Sequence, residues 1–422
     1  MKHTLIKPDL VIKNCGQLLT VSENSSDLVG LIRNGYVGIT GERIAFIGTK
    51  EAYDRQIDDT ESKVIDGTNK VVLPGFVDCH THLVFGKSRV EEYASGLIPG
   101  GLEKFRAVGI KTGMEASVDM TRLEPEESLY LESYKKIDRM IRNGTTTIEI
   151  KSGYGLDKET ELKQLRVISK LKQNANTDIS STFLGAHGWP REMSKDRYID
   201  FLINEMIPMV AEEGLAEACD IWVDDGYYTA KEAEKVLRAG MDHNLEAKIH
   251  TDCYSYIGGS DLAADMKMMS ADHLNYTPES SIKKMFDAKV VGVFLPGTDF
   301  SVSHPLPFNP RPLLDAGMKI ALATNLNPGN WVESQFFVIT LACRRHHMSV
   351  EEAIRATTLG GAMALRKNHE MGSLEVDKKA DIQIWDTDNY KDVAYKHGRN
   401  FVETVIKRGQ VVVGSLSEQK HI

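Results

Sequence analysis

Hydrophobic residues change their spacing twice along this chain. In residues 1–70, short β-rich runs (Leu10-Val11-Ile12, Tyr36-Val37-Gly38-Ile39, Ile44-Ala45-Phe46-Ile47) alternate with turn residues such as Thr40-Gly41-Glu42, as strands joined by tight turns do. The same texture returns in Ile382-Gln383-Ile384-Trp385, Glu403-Thr404-Val405-Ile406 and Val411-Val412-Val413. Two β-rich ends around a different middle predict one small β-sandwich domain, built from residues 1–70 and 374–422 together.

Residues 71–373 alternate short β-type runs with helical periods. The runs end near Cys79, Ile150, Leu184, Val223, Ile249, Ser270, Leu295 and Ala323. From Glu126 to Arg142, Tyr130, Tyr134, Ile137 and Ile141 recur at helical spacing, and Asn143-Gly144 closes the segment. Thr229-Ala230-Lys231-Glu232 reads as a capping box opening a helix that ends near His243. Eight strand-then-helix units predict a (β/α)8 TIM barrel. No GxGxxG follows any of the strands, which speaks against a dinucleotide-binding sheet.

Composition narrows the function by exclusion. At 422 residues the chain is long for one small core and suits a large α/β domain with a modest second one. A formal net charge of −9 argues against nucleic acid or an anionic membrane as partner, since either selects a basic face. No apolar run approaches the roughly 20 residues that span a bilayer, and the start lacks a signal peptide's apolar stretch. Five cysteines without CxxC spacing suit a reducing cytoplasm, where thiols stay free.

Barrel enzymes carry their chemistry on the loops that follow the strands, and the histidines gather there. His80 and His82 follow the first run, His187 the third, His250 ends the fifth and His273 follows the sixth. The eighth leads into Ala323-Thr324-Asn325. Alternate side chains of an extended segment share a face, so His80 and His82 project together, as chelation requires. Imidazole suits zinc or iron, and three nitrogens plus water make an open catalytic site. One histidine at such a position is as often a satisfied core residue; five at the ends of four strands point to a site. The other eight histidines, His346-His347 included, read as ordinary.

The segment Val72-Leu73-Pro74-Gly75-Phe76-Val77-Asp78-Cys79-His80-Thr81-His82 resembles the opening signature of the amidohydrolase superfamily. Within that superfamily the chain resembles the imidazolonepropionase family over nearly its whole length. The residues that carry this are His82-Leu83-Val84-Phe85-Gly86-Lys87-Ser88-Arg89, Asn143-Gly144-Thr145-Thr146-Thr147 and Lys151-Ser152-Gly153-Tyr154-Gly155-Leu156. Glu159-Thr160-Glu161-Leu162-Lys163-Gln164-Leu165-Arg166 and Leu295-Pro296-Gly297-Thr298 add to them. The resemblance implies hydrolysis of the cyclic amide of 4-imidazolone-5-propanoate to N-formimino-glutamate, a step of histidine degradation. It implies metal ligands at His80, His82 and His250, with Asn325 at the fourth ligand position, where the family carries aspartate. It implies substrate contacts at Arg89, Tyr154 and His187 and a proton-handling role for His273; Cys253 stands where the family carries a glutamate. The implied cofactor is one divalent or trivalent transition-metal ion, zinc ahead of iron. The implied partner is a small imidazolone propionate-type substrate, and a homodimer is left open. Strand four offers Asp220, Trp222 and Asp224 but no lysine, so the carbamylated bridge of two-metal relatives is not expected. Asp272 reads as structural.

Two of these positions, and the run Phe105-Arg106-Ala107-Val108 where the family is glycine-rich, depart from the family pattern. An aspartate beside an activated water can take its proton; an amide cannot, and it binds metal more weakly. A cysteine is smaller than glutamate and potentially nucleophilic. Three readings follow: Asn325 as a substitution made to trap substrate, a relative acting on a modified ring such as an N-methyl or 2-thioxo imidazolone propionate, or a chain that binds without catalysis.

Overall fold

The structure, a computed structural model, describes residues 5–414; residues 1–4 and 415–422 of the expected small domain lie outside the described residues. Eight strands pair in chain order in one sheet: Phe76–Asp78, Thr145–Lys151, Asp178–Ala186, Ala218–Val223, Glu246–Thr251, Ser270–His273, Val291–Phe294 and Ile320–Leu322. Every pairing is parallel. Helices return the chain between strands, as parallel pairing demands, and bury nearly every strand residue. This is the expected TIM barrel.

Its first and last strands are joined beyond their ends. The Asn325 N–H donates to the His80 carbonyl at 3.0 Å and the His82 N–H to the Leu326 carbonyl at 2.9 Å. Thr324 adds its N–H and hydroxyl to the Asp78 carboxylate at 3.1 and 2.6 Å. The closing seam therefore runs through the residues that carry candidate ligands.

The helix Glu126–Arg142 forms over the expected residues, with a different inner stripe. Leu129, Ile137, Met140 and Ile141 face the core, whereas Tyr130 and Tyr134 pair outside it, ring centroids 6.1 Å apart. A tyrosine keeps its hydroxyl wet more easily on that side, and Lys170 lies 4.1 Å over the Tyr130 ring. The Thr229–Glu232 capping box is present at the start of Ala230–Asp242.

Both chain ends build the second sheet, from Leu10–Leu19, Leu31–Thr40, Arg43–Gly48, Lys63–Asp66, Val71–Pro74, Ile382–Trp385, Val402–Lys407 and Gln410–Val413. The ends meet where Val71–Pro74 pairs antiparallel with Ile382–Trp385. Ile12, Leu18, Val37, Ile39, Val72, Ile382 and Ile406 form a separate core there.

Asp178, at the base of the third barrel strand, clamps this sheet to the barrel. It meets Arg408 at 2.5 Å, Lys407 at 3.0 Å and Lys379 at 3.3 Å. Burial opposes its ionisation, but Lys407, Lys379 and Arg408 overcome that and hold its carboxyl well below the usual range. A depressed folded pKa contributes stability above the unfolded value, near 3.9, and loses it as pH falls through the folded value. We expect Asp178→Asn to destabilise the protein by about 3 kcal/mol in urea unfolding at neutral pH, the scale of a broken buried pair. The difference from the parent should shrink on acidification; a gap that is flat with pH would assign the loss to packing instead.

Candidate metal centre and active-site cavity

Three imidazoles converge at the C-terminal mouth of the barrel. His80 and His82 share one side of the extended segment after the first strand, as their spacing predicts, and His250 enters from the fifth. Their ligand-capable nitrogens all lie within 4.8 Å of one another, and all three residues are buried. Ring centroids are 4.5 Å apart for His80 and His250, and 5.3 Å for His80 and His82.

The far side of two of these rings is fixed. His80 Nδ1 lies 2.6 Å from Asp272, and His250 Nδ1 lies 3.0 Å from Asp220. A carboxylate on one ring nitrogen sets the tautomer that leaves the other free for a metal. His80 Nε2 has no partner, and the Nε2 atoms of His82 and His250 face each other across 3.4 Å. Buried imidazole nitrogens aimed at one point and otherwise unsatisfied fit a bound cation. Burial and the neighbouring Lys151 and His187 push His80 and His82 well below the usual histidine range, so both rings are neutral, as ligands must be.

Asn325 completes the arc. Its backbone is left-handed, with φ of 48°, and the seam bond to His80 holds it there. The side-chain N–H donates to the Thr298 hydroxyl at 2.8 Å, while the buried Oδ1 has no partner. That free carbonyl suits a fourth, neutral ligand.

The loop Lys151–Leu156 is shaped by one buried carboxylate. Glu161 accepts from the N–H groups of Gly153 at 3.1 Å, Gly155 at 2.7 Å and Leu156 at 3.0 Å. Gln164 accepts from the Tyr154 N–H at 3.1 Å and donates to the Val84 carbonyl at 2.7 Å. Tyr154 is thereby set beside His82 and His187, ring centroids 5.8 and 5.3 Å away. Gly153 has φ of 113°, and a Cβ there would stand 2.8 Å from the Leu184 carbonyl. His187 stacks on His82 at 4.7 Å and contacts the Gly153 carbonyl at 3.2 Å; burial, then His250, depress its pKa to about 3.

A cavity of about 290 Å³ opens over the histidines. His82, His250 and Asn325 line its floor, together with Arg89, Tyr154, His187, Cys253 and His273. Every residue that the sequence singles out thus lies in this cavity or, for His80, directly under it. No aspartate or glutamate is in the lining. His273 is the last residue of the sixth strand rather than a loop residue, with φ of 85° and ring centroids 5.4 Å from His250. Cys253 is buried, and burial, then Asp224 and Asp299, push its thiol up. It is therefore a neutral thiol and not an activated nucleophile. Arg89 gives Nη1 to Glu92 at 3.1 Å, leaves its Nε without a partner, and packs on Gly329, where a Cβ would stand 2.2 Å from Nη2. Glu92 also accepts from the Gly113 N–H at 3.1 Å, pinning the arginine from a second loop. A larger cavity, about 770 Å³, shares Met114 and Tyr227 with this one, but none of the histidines lines it.

The comparisons with known proteins agree with this geometry. Residues 204–412 match the model of the Amidohydrolase family. The imidazolonepropionase of Clostridium tetani is 39% identical over 415 residues, covering 96% of this chain and 98% of the relative. That of Geobacillus kaustophilus is 40% identical over 418 residues, with the same two coverages. The chain belongs to the imidazolonepropionase family. Solved structures extend the fold. An adenosine deaminase from Xanthomonas campestris with bound zinc superposes with a TM-score of 0.67 at 18% identity, covering 97% of this chain and 94% of that one. Atrazine chlorohydrolase from Arthrobacter aurescens complexed with zinc gives 0.65 at 16%, covering 96% and 95%. As in the family, the substrate is a small molecule, and the histidine cluster suits a divalent metal. Among the described residues, no helix is long and apolar enough to cross a membrane.

Sequence reading passes over the supporting groups of the site. Glu92, Glu161, Gln164 and Lys151 hold the site without lining the metal cluster. For Lys151 the signal is alternation: Glu149 and Lys151, or Lys248 and His250, are charged or polar at period two inside strands buried at every position but the opening Glu246. We expect about one transition-metal ion per chain in the purified protein. His80→Ala, His82→Ala and His250→Ala should each abolish tight binding by elemental analysis, and full metal content in all three would remove these residues from the centre.

Proposed function

We propose that this chain hydrolyses the cyclic amide of 4-imidazolone-5-propanoate to N-formimino-glutamate. The observation that carries this is the convergence of three buried imidazoles, two of them oriented by carboxylates, in a small cavity that an incompletely paired arginine also lines. His80, His82, His250 and Asn325 Oδ1 would hold the ion. We take it to be zinc, with iron as the alternative, because imidazole-rich sites suit both. When bound, the ion supplies Lewis acidity that polarises the amide carbonyl and makes water a better nucleophile.

The remaining work belongs to the chain's own side chains. The planar guanidinium of Arg89 anchors the propionate carboxylate, held in aim by Glu92. Tyr154 and His187 form a rigid wall that orients the ring. Water adds to the carbonyl, the C–N bond breaks, and the departing ring nitrogen takes up a proton. His273, beside both His80 and His250, accepts the proton from water and delivers it to that nitrogen, as a positioned imidazole does.

A second reading concerns the ring itself, and the Cys253 thiol in a cavity without carboxylates favours it. A ring N–H meets no anionic acceptor there, and a neutral thiol tolerates an N-methyl or 2-thioxo substituent. A substrate panel separates the two. Turnover of plain imidazolone propionate at an ordinary enzymatic rate, on the order of 10 s⁻¹, supports the first reading and removes the second. Preference for a substituted ring does the reverse, and the double change Cys253→Glu with Asn325→Asp should then shift activity toward the plain ring. No hydrolysis of any member would overturn both.

Arg89→Ala should weaken binding of a carboxylate substrate by about 1.5–3 kcal/mol, the scale of a charged hydrogen bond, and raise KM more than it lowers kcat. An unchanged KM would take Arg89 out of the substrate site.

A further inference from the structure

The strands beneath the three histidines carry buried charged groups that face no substrate. Lys151 Nζ lies 2.7 Å from Glu149, 2.8 Å from Asp220 and 3.9 Å from Asp272. Lys248 Nζ lies 3.6 Å from Glu149 and 4.0 Å from Asp272, and donates to the Cys79 carbonyl at 3.2 Å. All five residues are closed to solvent. With all five ionised, three carboxylates face two ammonium groups, an excess of one negative charge. Asp78, also buried, spends its carboxylate on Thr324.

The candidate ligands above are all neutral: three imidazoles and one amide. Buried charge without a counter-charge is unfavourable. Here a negative excess lies beside a candidate cation-binding set, and the two are linked by hydrogen bonds that His80 donates to Asp272 and His250 to Asp220. Histidine ligands pass such charge on, because a carboxylate behind the ring raises the basicity of the nitrogen in front.

We propose that the barrel's buried charge set, and not a charged ligand, offsets part of the bound cation's charge, with Glu149, Lys151 and Lys248 as positioning residues that set how strongly it binds. This rests on the three histidines being a metal site, but not on the identity of the ring substrate. Glu149 is the most selective probe. It meets Lys151, Lys248, Thr182 and Thr81 and touches no candidate ligand. Lys248 has the opposite sign: its removal enlarges the negative excess.

The test is metal affinity. Metal-free protein is titrated with Zn²⁺ and with Co²⁺ against a competing chelator, and the visible spectrum of bound Co²⁺ reports whether the ligand set is intact. Glu149→Gln should keep the Co²⁺ spectrum and lose about tenfold or more in affinity, the scale of outer-shell changes at metal sites. Lys248→Met should bind more tightly than the parent and show a larger gain in melting temperature on metal loading. Lys248→Gln, which keeps a polar tip near the Cys79 carbonyl, replaces it if the methionine variant does not fold. Asn325→Asp, which places a charge among the ligands, should reduce the effect of Glu149→Gln in a double-mutant cycle. Unchanged affinity in Glu149→Gln, or weaker binding when Lys248 loses its charge, would overturn the proposal. Neither outcome depends on turnover, so the ring-opening reading stands or falls separately.

Discussion

Lys151 sits where several carboxylates inside the barrel would otherwise repel one another. Its ammonium holds Glu149 and Asp220 directly and faces Asp272. Asp220 and Asp272 are the groups that orient His250 and His80. Burial works against Asp220 carrying charge, but its contacts with His250 and Lys151 outweigh this and hold its carboxyl well below the usual range; the surrounding carboxylates in turn push Lys151 up. The interior of many TIM barrels is layered with branched apolar side chains. This barrel replaces part of that core with a hydrogen-bonded polar lattice, whose members gain fixed positions because leaving any of them without a partner would be unfavourable. The imidazoles inherit their aim from it.

The rest of the site hangs from the same framework. The seam between first and last strands is made by the backbones of His80, His82, Asn325 and Leu326, so barrel closure and ligand placement are one event. The second loop is shaped by Glu161 and Gln164 from the following helix, and the first by Glu92 clasping Arg89 and Gly113. The candidate metal ligands sit on a strand and on the seam just beyond the strand ends, while Arg89 and Tyr154 stand on longer connections, where barrels vary their chemistry.

Much of this was legible in the chain because strand ends and histidines coincide. The eight runs locate the barrel strands, and the spacing of His80 and His82 forces a shared face. The cavity gathers His187, Tyr154, Arg89, Cys253, His273 and Asn325 as the family resemblance implies. What pattern reading misses follows from its assumptions. It treats a buried strand as apolar, so Glu149, Lys151 and Lys248 look like surface residues until the barrel closes round them. It weighs the tyrosines of Glu126–Arg142 as core, whereas Leu129 and Met140 bury more cheaply because they bring no hydroxyl inward. It places His273 after its strand, but a left-handed backbone at that residue lets the last strand position turn its ring to the cavity. The bond from the Gly113 N–H to Glu92 ties the start of one helix to a segment 21 residues on, a contact that no local period encodes.

The proposed centre would have neutral ligands above and anionic support below, beside a cavity with no carboxylate in its lining. With one negative charge below a divalent ion, such a centre would keep a net positive charge to act on substrate and water, in keeping with Lewis-acid hydrolysis. The most direct measurement is anomalous X-ray diffraction from metal-loaded crystals at the absorption edge of the bound ion. The account requires a single peak at about 2.0–2.1 Å, the usual Zn–N distance, from nitrogens of His80, His82 and His250, with Asn325 Oδ1 turned toward it and the contacts of Asp220 and Asp272 to the rings retained. A peak elsewhere, a second ion beside Lys151, or Asn325 rotated away with Asp272 as a direct ligand would contradict it.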